Sequence, residues 1–476
     1  METQYFSAIG LEIHAELKTN SKMFCGCKND PDEKRPNVNI CPVCMAHPGA
    51  IPVPNKSAMK KVAEVGLAIG GTIADFTEFD RKNYFYPDIP KGYQISQYKY
   101  PIVSGGELAG MTVTRIHLEE DTGTSKHDRG DYSLVDYNRA GVPLMELVTD
   151  THVFDSMEEA AKIGSAFGKE YQLLLQYLGV SEANMEKGEM RVEVNISITN
   201  DKNKLGTKVE VKNLNSFRSA ERAIMYELNR MKDLYEEGRQ NEIVQETRGW
   251  NEAKQSTYSQ RTKESAQDYR YFPDPDIPKF KLTEMFDLEE IKKGMPELPK
   301  QKRERFAKDF GIKAEDIESY INDRELGAWF EKIAHILGSA EKVKVASNYI
   351  TSDFLGLKKN NSEIKMPSAE NFAELITLVT DGKVSSRAAK DILAMIVIND
   401  ASPLSIATEK DLLQKNDEGA LKEIASKIIS TNEKIVADYK GGKETALMSL
   451  VGQIMKETKG SANPAMASKI LKELLG

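Results

Sequence analysis

The sequence predicts an α+β protein, in which an N-terminal domain built on a mixed or antiparallel sheet is followed by all-α helical and tail domains. Up to about residue 198, short runs of alternating apolar and polar residues are separated by Gly, Pro and Asn. The Pro-rich segment 269–278 then breaks the pattern, because proline does not fit a helix interior. Beyond Leu282 the strand signals end, and amphipathic helices follow one another.

The individual elements follow from two periodicities. Period-2 alternation predicts strands at residues 9–17, 111–118 and 191–198. Apolar residues at helical spacing predict helices at residues 56–70, 156–178 and 216–237. We place domain boundaries near residue 290 and after residue 402. This gives a sheet domain over 1–290, a helical domain over 291–402 and a helical tail over 403–476.

Length and composition bound the class of protein. A chain of 476 residues is too long for a single core, and its 40% hydrophobic and 29% charged residues are ordinary for a soluble, folded protein. No apolar run approaches the roughly 20 residues that span a bilayer, and the N-terminus lacks a secretory signal. We therefore expect a cytoplasmic protein with no membrane partner. The net charge of −8 argues against indiscriminate nucleic-acid binding but leaves room for a local basic site.

All four cysteines lie in one short segment, in the pairs Cys25–Cys27 and Cys41–Cys44, which 13 residues separate. In a cytoplasmic chain such clustering favours a metal over disulfides. Two thiolate pairs suit a tetrahedral, structural Zn²⁺ in a knuckle over residues 25–44, and they leave no open position for catalysis. The alternative is four reduced core cysteines, which the polar loop between the pairs disfavours.

Polar residues gather on one face of several predicted strands. Glu12, His14 and Glu16 alternate with apolar residues, so they share a face at intervals of about 7 Å. Residues 117–121, 191–198 and 208–212 repeat this design with further carboxylates. For one strand, a solvated sheet face explains the pattern equally well. Four such strands would crowd negative charges unless a divalent cation lay among them, which indicates a Mg²⁺ site that handles phosphate.

Basic residues flank these strands. The segment 80–87 interleaves Arg81 and Lys82 with aromatic residues, as a site for phosphate and a stacked base would. Arg139 lies in a turn, and Lys208 and Lys212 flank Glu210. The sequence has no phosphate-binding G-x-x-x-x-G-K-[ST] loop and no G-x-S-x-G nucleophile motif. Every cysteine is in the predicted metal cluster, so the chain is not expected to release ammonia from glutamine by itself.

Taken together, these segments resemble the family of B subunits of the aspartyl/glutamyl-tRNA amidotransferases. The resemblance covers essentially the whole chain. It rests on Ile9-Gly10-Leu11-Glu12-Ile13-His14, Asp80 to Pro87, Tyr93-Gln94-Ile95-Ser96-Gln97, His117-Leu118-Glu119-Glu120-Asp121, Lys212-Asn213-Leu214-Asn215-Ser216-Phe217, Asp268-Tyr269-Arg270-Tyr271-Phe272-Pro273, Val451-Gly452-Gln453-Ile454-Met455-Lys456 and Lys459-Gly460-Ser461-Ala462-Asn463-Pro464.

The resemblance implies a fold, a reaction and partners. The N-terminal domain is then a cradle that uses ATP and Mg²⁺ to activate the side-chain carboxylate of Glu or Asp misacylated on tRNA, as an acyl phosphate. Ammonia displaces the phosphate and gives Gln-tRNA or Asn-tRNA. The ammonia comes from glutamine through an amidase A subunit, a small C subunit joins the two, and the helical and YqeY-like tail domains hold the tRNA.

The resemblance also implies roles for particular residues. The metal cluster is expected at Glu12, His14, Glu120 and Glu210, with Glu119 and Glu193 as substitutes if the strand phase differs. Strand phase alone groups Glu119 with His117 and Asp121, so the choice of Glu120 comes from the resemblance. The expected phosphate-facing residues, which bind the nucleotide, are Lys82, Arg139 and Lys212. Glu12, His14, Glu120 and Lys82 are the expected catalytic set.

Two interpretations from other classes compete with this one. A non-catalytic tRNA-binding scaffold would use the acidic sheet only structurally. A metal-dependent nuclease would use clustered carboxylates for two-metal phosphodiester cleavage. The archaeal E subunit of the same superfamily carries an additional inserted domain, for which 476 residues leave no evident room.

Overall fold

The computed structural model describes residues 4–127, 130–262, 269–361, 363–414, 418–458 and 462–476. The chain divides into two compact units, Met1–Pro299 and Lys300–Gly476. The first is rich in strands and the second is helical, so the predicted α+β class is confirmed. The finer division at residues 290 and 402 stays a prediction. Asp268 and the stretch Lys459-Gly460-Ser461 of the motifs above lie outside the described residues.

The strands are β1 Phe6–Glu16, β2 Thr72–Ile73, β3 Phe76–Thr77, β4 Asp80–Asn83, β5 Tyr93–Ser96, β6 Val103–Ser104, β7 Glu107–Leu108, β8 Met111–Glu120, β9 Thr124–Lys126, β10 Leu134–Asp136, β11 Pro143–Thr149, β12 His152–Phe154, β13 Met190–Thr199, β14 Val209–Leu214, β15 Glu246–Asn251, β16 Ser256–Thr262, β17 Phe272–Pro273 and β18 Phe280–Lys281.

The α-helices are α1 Lys56–Ala68, α2 Met157–Leu178, α3 Phe217–Glu236, α4 Leu282–Met285, α5 Leu288–Gly294, α6 Pro299–Phe310, α7 Ala314–Asn322, α8 Arg324–Leu337, α9 Ala340–Asn348, α10 Leu355–Asn360, α11 Ala369–Thr380, α12 Ser386–Asn399, α13 Pro403–Glu409, α14 Glu418–Thr431, α15 Glu433–Lys440, α16 Thr445–Glu457 and α17 Pro464–Leu475. A 3₁₀ turn spans Gln240–Glu242, and a π-helical turn spans Tyr349–Phe354. All three strands and all three helices predicted individually are present, with ends that differ by at most three residues.

A large mixed sheet organises the first unit. Its strand order is β16-β15-β14-β13-β1-β11-β8-β6-β2, with β12 paired to β1 and β7 to β8. The pairs are antiparallel except β14 with β15, which run parallel. β1 is central, because β13 pairs along one edge and β11 along the other. The first strand of the chain is therefore held in register from both sides.

The two faces of this sheet differ in chemistry. Ile9, Leu11 and Ile13 of β1 are fully buried on the face that packs against α2 and α3. A Cβ added to Gly164 of α2 would lie 3.1 Å from Ile9 Cδ1 and 2.9 Å from Ile224 Cδ1, so glycine permits the close approach of helix and sheet. Burial of the apolar face leaves the opposite face of β1 for the polar side chains.

A smaller sheet carries the basic segment predicted from the sequence. Its strand order is β17-β4-β5, and β4 includes Arg81 and Lys82. Arg81 donates to Asp274 at 2.8 Å and to Asp276 at 3.0 Å, so its charge is used within the fold. The side chain of Lys82 points to the opposite side of β4 from that of Arg81 and reaches the polar face of the large sheet.

Over its described residues, the second unit is built from helices and contains no strand. Tyr320 and Phe330 stack at 4.1 Å between α7 and α8, and Trp329 donates to the carbonyl of Pro367 at 2.8 Å. Helices α14, α16 and α17 have a hydrophobic cluster of their own around Leu450 and Ile470. The helices around α7 and α8 and the helices α14, α16 and α17 therefore each pack around apolar side chains of their own.

Helix length and composition bear on whether the chain could cross a membrane. Over the described ranges, no single helix combines the length and the apolar character that a crossing requires. By length and composition, only the pair Ser386–Asn399 and Pro403–Glu409 passes when taken together, and the two helices are bent by 118°.

Candidate active site

Three neighbouring strands bring a row of polar side chains together on the polar face. His14 on β1 pairs in register with Glu146 on β11, which pairs with His117 on β8. The Nε2 atoms of His14 and His117 lie 3.4 Å and 3.2 Å from Glu146 Oε2. Glu146 thus bridges two histidines, and it and His117 are buried.

Glu119 and Lys82 complete the centre of the row. Glu119 Oε1 lies 3.4 Å from His14 Nε2, and Glu119 Oε2 lies 3.8 Å from Lys82 Nζ. Within the described part of the chain, Glu119 Oε2 is buried without a hydrogen-bond partner. Lys82 Nζ also lies 5.3 Å from the centre of the Tyr269 ring. One lysine therefore stands between an aromatic side chain and an unsatisfied carboxylate oxygen.

A second group of carboxylates lies on the other side of Glu12. Oxygen atoms of Glu12, Glu193 and Glu210 lie within 4.8 Å of one another. Lys212 Nζ is 2.6 Å from Glu193 Oε2 and 3.2 Å from Glu210 Oε1. The four side chains come from β1, β13 and β14, so the predicted strands do share one polar face. Lys212 offsets part of their charge.

A third group occupies the end of the face where β1 and β8 finish. Asp121 Oδ2 is 3.0 Å from an Arg191 Nη atom and 3.6 Å from Arg139 Nε. Burial and the charge of Asp121 raise the pKa of Glu16 to about 8. Glu16 is thus placed with Asp121 and the arginines, away from the Glu12 group. Arg139 lies at the edge of the polar face.

The protonation states in the centre reflect this crowding. Burial opposes a charge on His14, but its hydrogen bonds to Glu119 and Glu146 raise its pKa well above the ordinary value. Burial likewise opposes ionisation of Glu119, but the charges of Lys82 and His14 outweigh it and lower the pKa to about 2. Burial and the charges of Glu146 and Glu193 raise the pKa of Glu12 to about 7. The face therefore holds more carboxylates than its cations balance.

This donor set fits a divalent cation. Two triads, Glu12 with His14 and Glu146, and Glu12 with Glu193 and Glu210, each offer ligand atoms within 4.8 Å of one another. Carboxylate oxygens are the ligands that Mg²⁺ takes, and Mg²⁺ also leaves coordination positions for phosphate oxygens. Glu119 Oε2, which accepts no hydrogen bond from the described residues, is a further available ligand atom.

Glu120 does not lie in this cluster. Its carboxylate accepts from Lys91 Nζ at 2.7 Å and from the backbone N–H of Ile95 at 2.9 Å. Consecutive residues of a strand point to opposite faces, so Glu119 and Glu120 cannot both face His14. Strand phase alone places Glu119 beside His14, and the structure agrees. The resemblance had implied Glu120 at this position, but Glu120 faces the other way.

Sequence reasoning missed Glu146 and did not assign a role to His117. Glu146 interrupts the buried run Pro143-Leu144-Met145-Glu146-Leu147. A carboxylate in an otherwise apolar strand is a detectable signal, because an isolated charge is costly to bury. Its partners, however, follow only from the strand order.

The cysteines form a separate cluster. The sulfur atoms of Cys25, Cys27, Cys41 and Cys44 lie within 4.8 Å of one another, and the Cys41 N–H donates to Cys44 Sγ at 3.1 Å. The hydrogen bond with the Cys25 thiol is the main cause that lowers the pKa of Cys44 to about 5. Sulfur ligands of a tetrahedral zinc lie about 3.8 Å apart, given Zn–S bonds of ~2.3 Å. The cluster is therefore able to bind a structural metal.

Family models define the class of the two parts of the chain. Residues 7–287 match the GatB/GatE catalytic domain, and residues 328–475 match the GatB domain. The first match contains the whole polar face and the cysteine cluster. The chain is therefore classified among the proteins that carry the GatB/GatE catalytic domain.

Full-length relatives make the assignment specific. The B subunits of aspartyl/glutamyl-tRNA(Asn/Gln) amidotransferase from Caldanaerobacter subterraneus subsp. tengcongensis and Thermotoga maritima are 44% and 42% identical, over 99% of this chain and 99% of their own length. The protein of the same name from Persephonella marina is 40% identical over 99% of this chain and all of its own length. The chain belongs to this family of amidotransferase B subunits. The predicted function, that of one component of a tRNA-dependent amidotransferase, is confirmed.

Proposed function

We propose that the polar face activates the side-chain carboxylate of Glu or Asp misacylated on tRNA. ATP transfers its γ-phosphoryl group to that carboxylate, and ammonia then displaces phosphate to give Gln-tRNA or Asn-tRNA. The observation that carries the proposal is the gathering of His14, Glu119, Glu146 and Glu12 beside Lys82 on one sheet face. Such a reaction brings several anions together, and fixed cations must offset their charge.

The roles divide between carboxylates and cations. The proposed Mg²⁺ ligands are Glu12, His14, Glu119 and Glu210. Glu119 replaces Glu120 of the set expected from the sequence. Bound Mg²⁺ would draw phosphate oxygens to the face and reduce their negative charge.

Three basic residues are proposed to hold phosphate oxygens: Lys82 at the centre, Lys212 beside Glu193, and Arg139 at the edge. Burial opposes a charge on Lys82, but the charge of Glu119 outweighs it and raises the pKa above its ordinary value. Lys82 therefore keeps its proton and acts as a fixed positive charge.

The partners and the structural metal are part of the same proposal. The relatives' name marks one component of a larger enzyme. We propose that the partners are an amidase A subunit, a small C subunit and misacylated tRNA, which the helical tail binds. We also propose that Zn²⁺ occupies the cysteine cluster. Cytoplasmic location stays a prediction.

One experiment tests the reaction against its rivals. The assembled complex is incubated with Glu-tRNA or Asp-tRNA, labelled ATP, Mg²⁺ and glutamine, and the products on tRNA and the ATP consumed are measured. Glu12→Ala and His14→Ala are compared with Glu242→Ala, whose exposed side chain pairs, among the described residues, with Arg239 at 2.8 Å. We expect product and ATP consumption for the unchanged complex and for Glu242→Ala, and a loss of both for the other two.

Each rival predicts a different result. A non-catalytic scaffold would leave activity intact in Glu12→Ala and His14→Ala. A nuclease would shorten tRNA in the absence of ATP. If the complex forms neither Gln-tRNA nor Asn-tRNA and consumes no ATP, the proposed reaction is refuted.

A further inference from the structure

A buried asparagine joins the cysteine-bearing loop to the turn that carries Arg139. Asn138 is only 1% exposed. Its Oδ1 accepts from the backbone N–H groups of Val38 and Asn39, both at 2.9 Å, and its Nδ2 donates to the carbonyl of Arg35 at 2.8 Å. One side chain thus satisfies three backbone groups of the loop between the two cysteine pairs. The amide group of Asn138 is itself buried, so it would be costly to leave unpaired.

The contact is reinforced immediately before Asn138. The backbone N–H of Asn37 donates to Asp136 Oδ1 at 3.0 Å, and Asn37 Oδ1 accepts from the N–H of Tyr137 at 2.7 Å. Asp136 Oδ1 also accepts from the N–H of Asn138 at 3.0 Å. Asn37 has a φ of 58°, in the left-handed region that asparagine tolerates better than most residues. The two segments are therefore joined by reciprocal hydrogen bonds.

A buried lysine closes the junction from the side of the cysteine segment. Lys22 is fully buried, and its Nζ donates to the carbonyls of Asn39 at 2.7 Å and Tyr137 at 3.0 Å. The neighbouring N–H of Met23 donates to the carbonyl of Gly141 at 2.7 Å. Residues on both sides of Arg139 are therefore held by the segment that contains the cysteines.

Arg139 itself is oriented by its own hydrogen bonds. Its Nε donates to the carbonyl of Thr122 at 3.1 Å and its Nη2 to that of Gly123 at 3.0 Å, and Nε lies 3.6 Å from Asp121 Oδ2. The side chain remains 29% exposed. These bonds fix the guanidinium only if the backbone of Arg139 stays in place.

We infer that Asn138 is a positioning residue, which couples the cysteine-bearing loop to Arg139 and so places the guanidinium at the edge of the polar face. The inference rests on the proposed function, in which Arg139 holds a phosphate oxygen of ATP. Asn138 touches no substrate and acts through its neighbour. Hydrogen-bonding groups that orient metal ligands matter by about 10- to 100-fold when they are replaced, and we expect an effect at the lower end of that range for the orientation of Arg139.

The test uses the assembled complex and four variants. Asn138→Ala removes the junction, and Asn37→Gly removes its reinforcing side chain while permitting the positive φ. Asn29→Ala is the matched control, because Asn29 lies in the same loop but donates to Leu17 at 2.9 Å and to Thr19 at 3.1 Å. Arg139→Ala provides the background for a double-mutant cycle.

The KM for ATP and kcat are measured in Gln-tRNA formation. We expect Asn138→Ala to raise the KM about tenfold, Asn37→Gly to raise it less, and Asn29→Ala to leave it within about twofold. In the Arg139→Ala background, Asn138→Ala should change the KM by less than about twofold, because its target is already absent. A purely structural role would instead give the same factor in both backgrounds, which would overturn the inference.

Two further outcomes are informative. If Arg139→Ala alone leaves the KM unchanged, the inference is overturned, although the amidation function stands. If the unchanged complex makes no amidated tRNA, the proposed function fails instead. Hydrogen–deuterium exchange then still tests the junction: residues 139–142 should exchange faster in Asn138→Ala than in Asn29→Ala, and equal exchange would refute it.

Discussion

Replacement of Glu119 and Glu120 by glutamine, one at a time, tests which face of β8 serves the reaction. The two carboxylates are adjacent in sequence but have separate partners. Glu119 contacts His14 and Lys82, and Glu120 contacts Lys91 and the Ile95 N–H. We expect both replacements to lower stability, but only Glu119→Gln to lower activity per folded molecule.

The magnitudes follow from the contacts. Glu120 and Lys91 are 6% and 11% exposed and 2.7 Å apart, and removing one partner of such a buried pair costs about 3 kcal/mol. At 3.8 Å, the attraction between Glu119 and Lys82 is about 4 kcal/mol for an effective dielectric constant near 20. Removing the charge of Glu119 also relieves its repulsion with Glu146. The pKa of Glu119 is nevertheless lowered to about 2, so the attraction to Lys82 and His14 outweighs both this repulsion and burial, and Glu119→Gln should also cost about 3 kcal/mol of stability.

Activity should distinguish the two variants. A hydrogen bond to a charged group contributes about 1.5–3 kcal/mol, so Glu119→Gln should lower kcat/KM for amidation by about 100-fold. Glu120→Gln should retain kcat/KM within about threefold per folded molecule. Thermal denaturation and amidation are measured on the same complexes. The reasoning is refuted if Glu119→Gln keeps full activity while folded Glu120→Gln loses it.

Three further predictions concern other parts of the chain. Cys41→Ser should reduce bound zinc below about half an equivalent by metal analysis, and a full equivalent would contradict a four-cysteine site. Removal of the helices after Gln414 should weaken tRNA binding at least about tenfold in a gel-shift assay, because basic side chains supply much of the affinity for tRNA. Assembly with the A subunit should be unaffected. Unchanged tRNA affinity would contradict a tRNA-binding role of the tail. In metal-free protein, stability should fall as the pH rises from 4.5 to about 8, because the folded state holds the Glu16 proton over that range. Glu16→Gln should therefore stabilise the protein at pH 9 but not near pH 4.5, as followed by thermal denaturation, and equal effects at both values would contradict the assigned pKa.

Much of the fold follows from periodicity. The alternation in β1, β8 and β13 is long enough to define both the strands and the face that carries charge. Strand phase also places His117 and Glu119 on one face, and the structure agrees. The preference for Glu120 comes only from the resemblance, which does not specify the phase of a strand.

The cross-strand contacts could not be predicted in the same way. His14, Glu146 and His117 meet because β11 lies between β1 and β8 in one particular register. A shift by one residue would turn Glu146 to the opposite face. The pairing of β1 with β11 joins segments more than 100 residues apart, and local sequence patterns carry no information on it. The role of Asn138 cannot be found from local patterns for the same reason.

The central position of β1 has a consequence for synthesis of the chain. β1 ends at Glu16, but its partner β13 begins only at Met190, and both edges of β1 need such partners. At about 5–20 residues per second, roughly 10–40 s pass before the second neighbour leaves the ribosome. Until α2 (Met157–Leu178) has also been made, Ile9, Leu11 and Ile13 have no helix to cover them. The strand that bears Glu12 and His14 thus gains its second edge partner only when β13 has been made, and the nascent chain needs protection from aggregation during that interval.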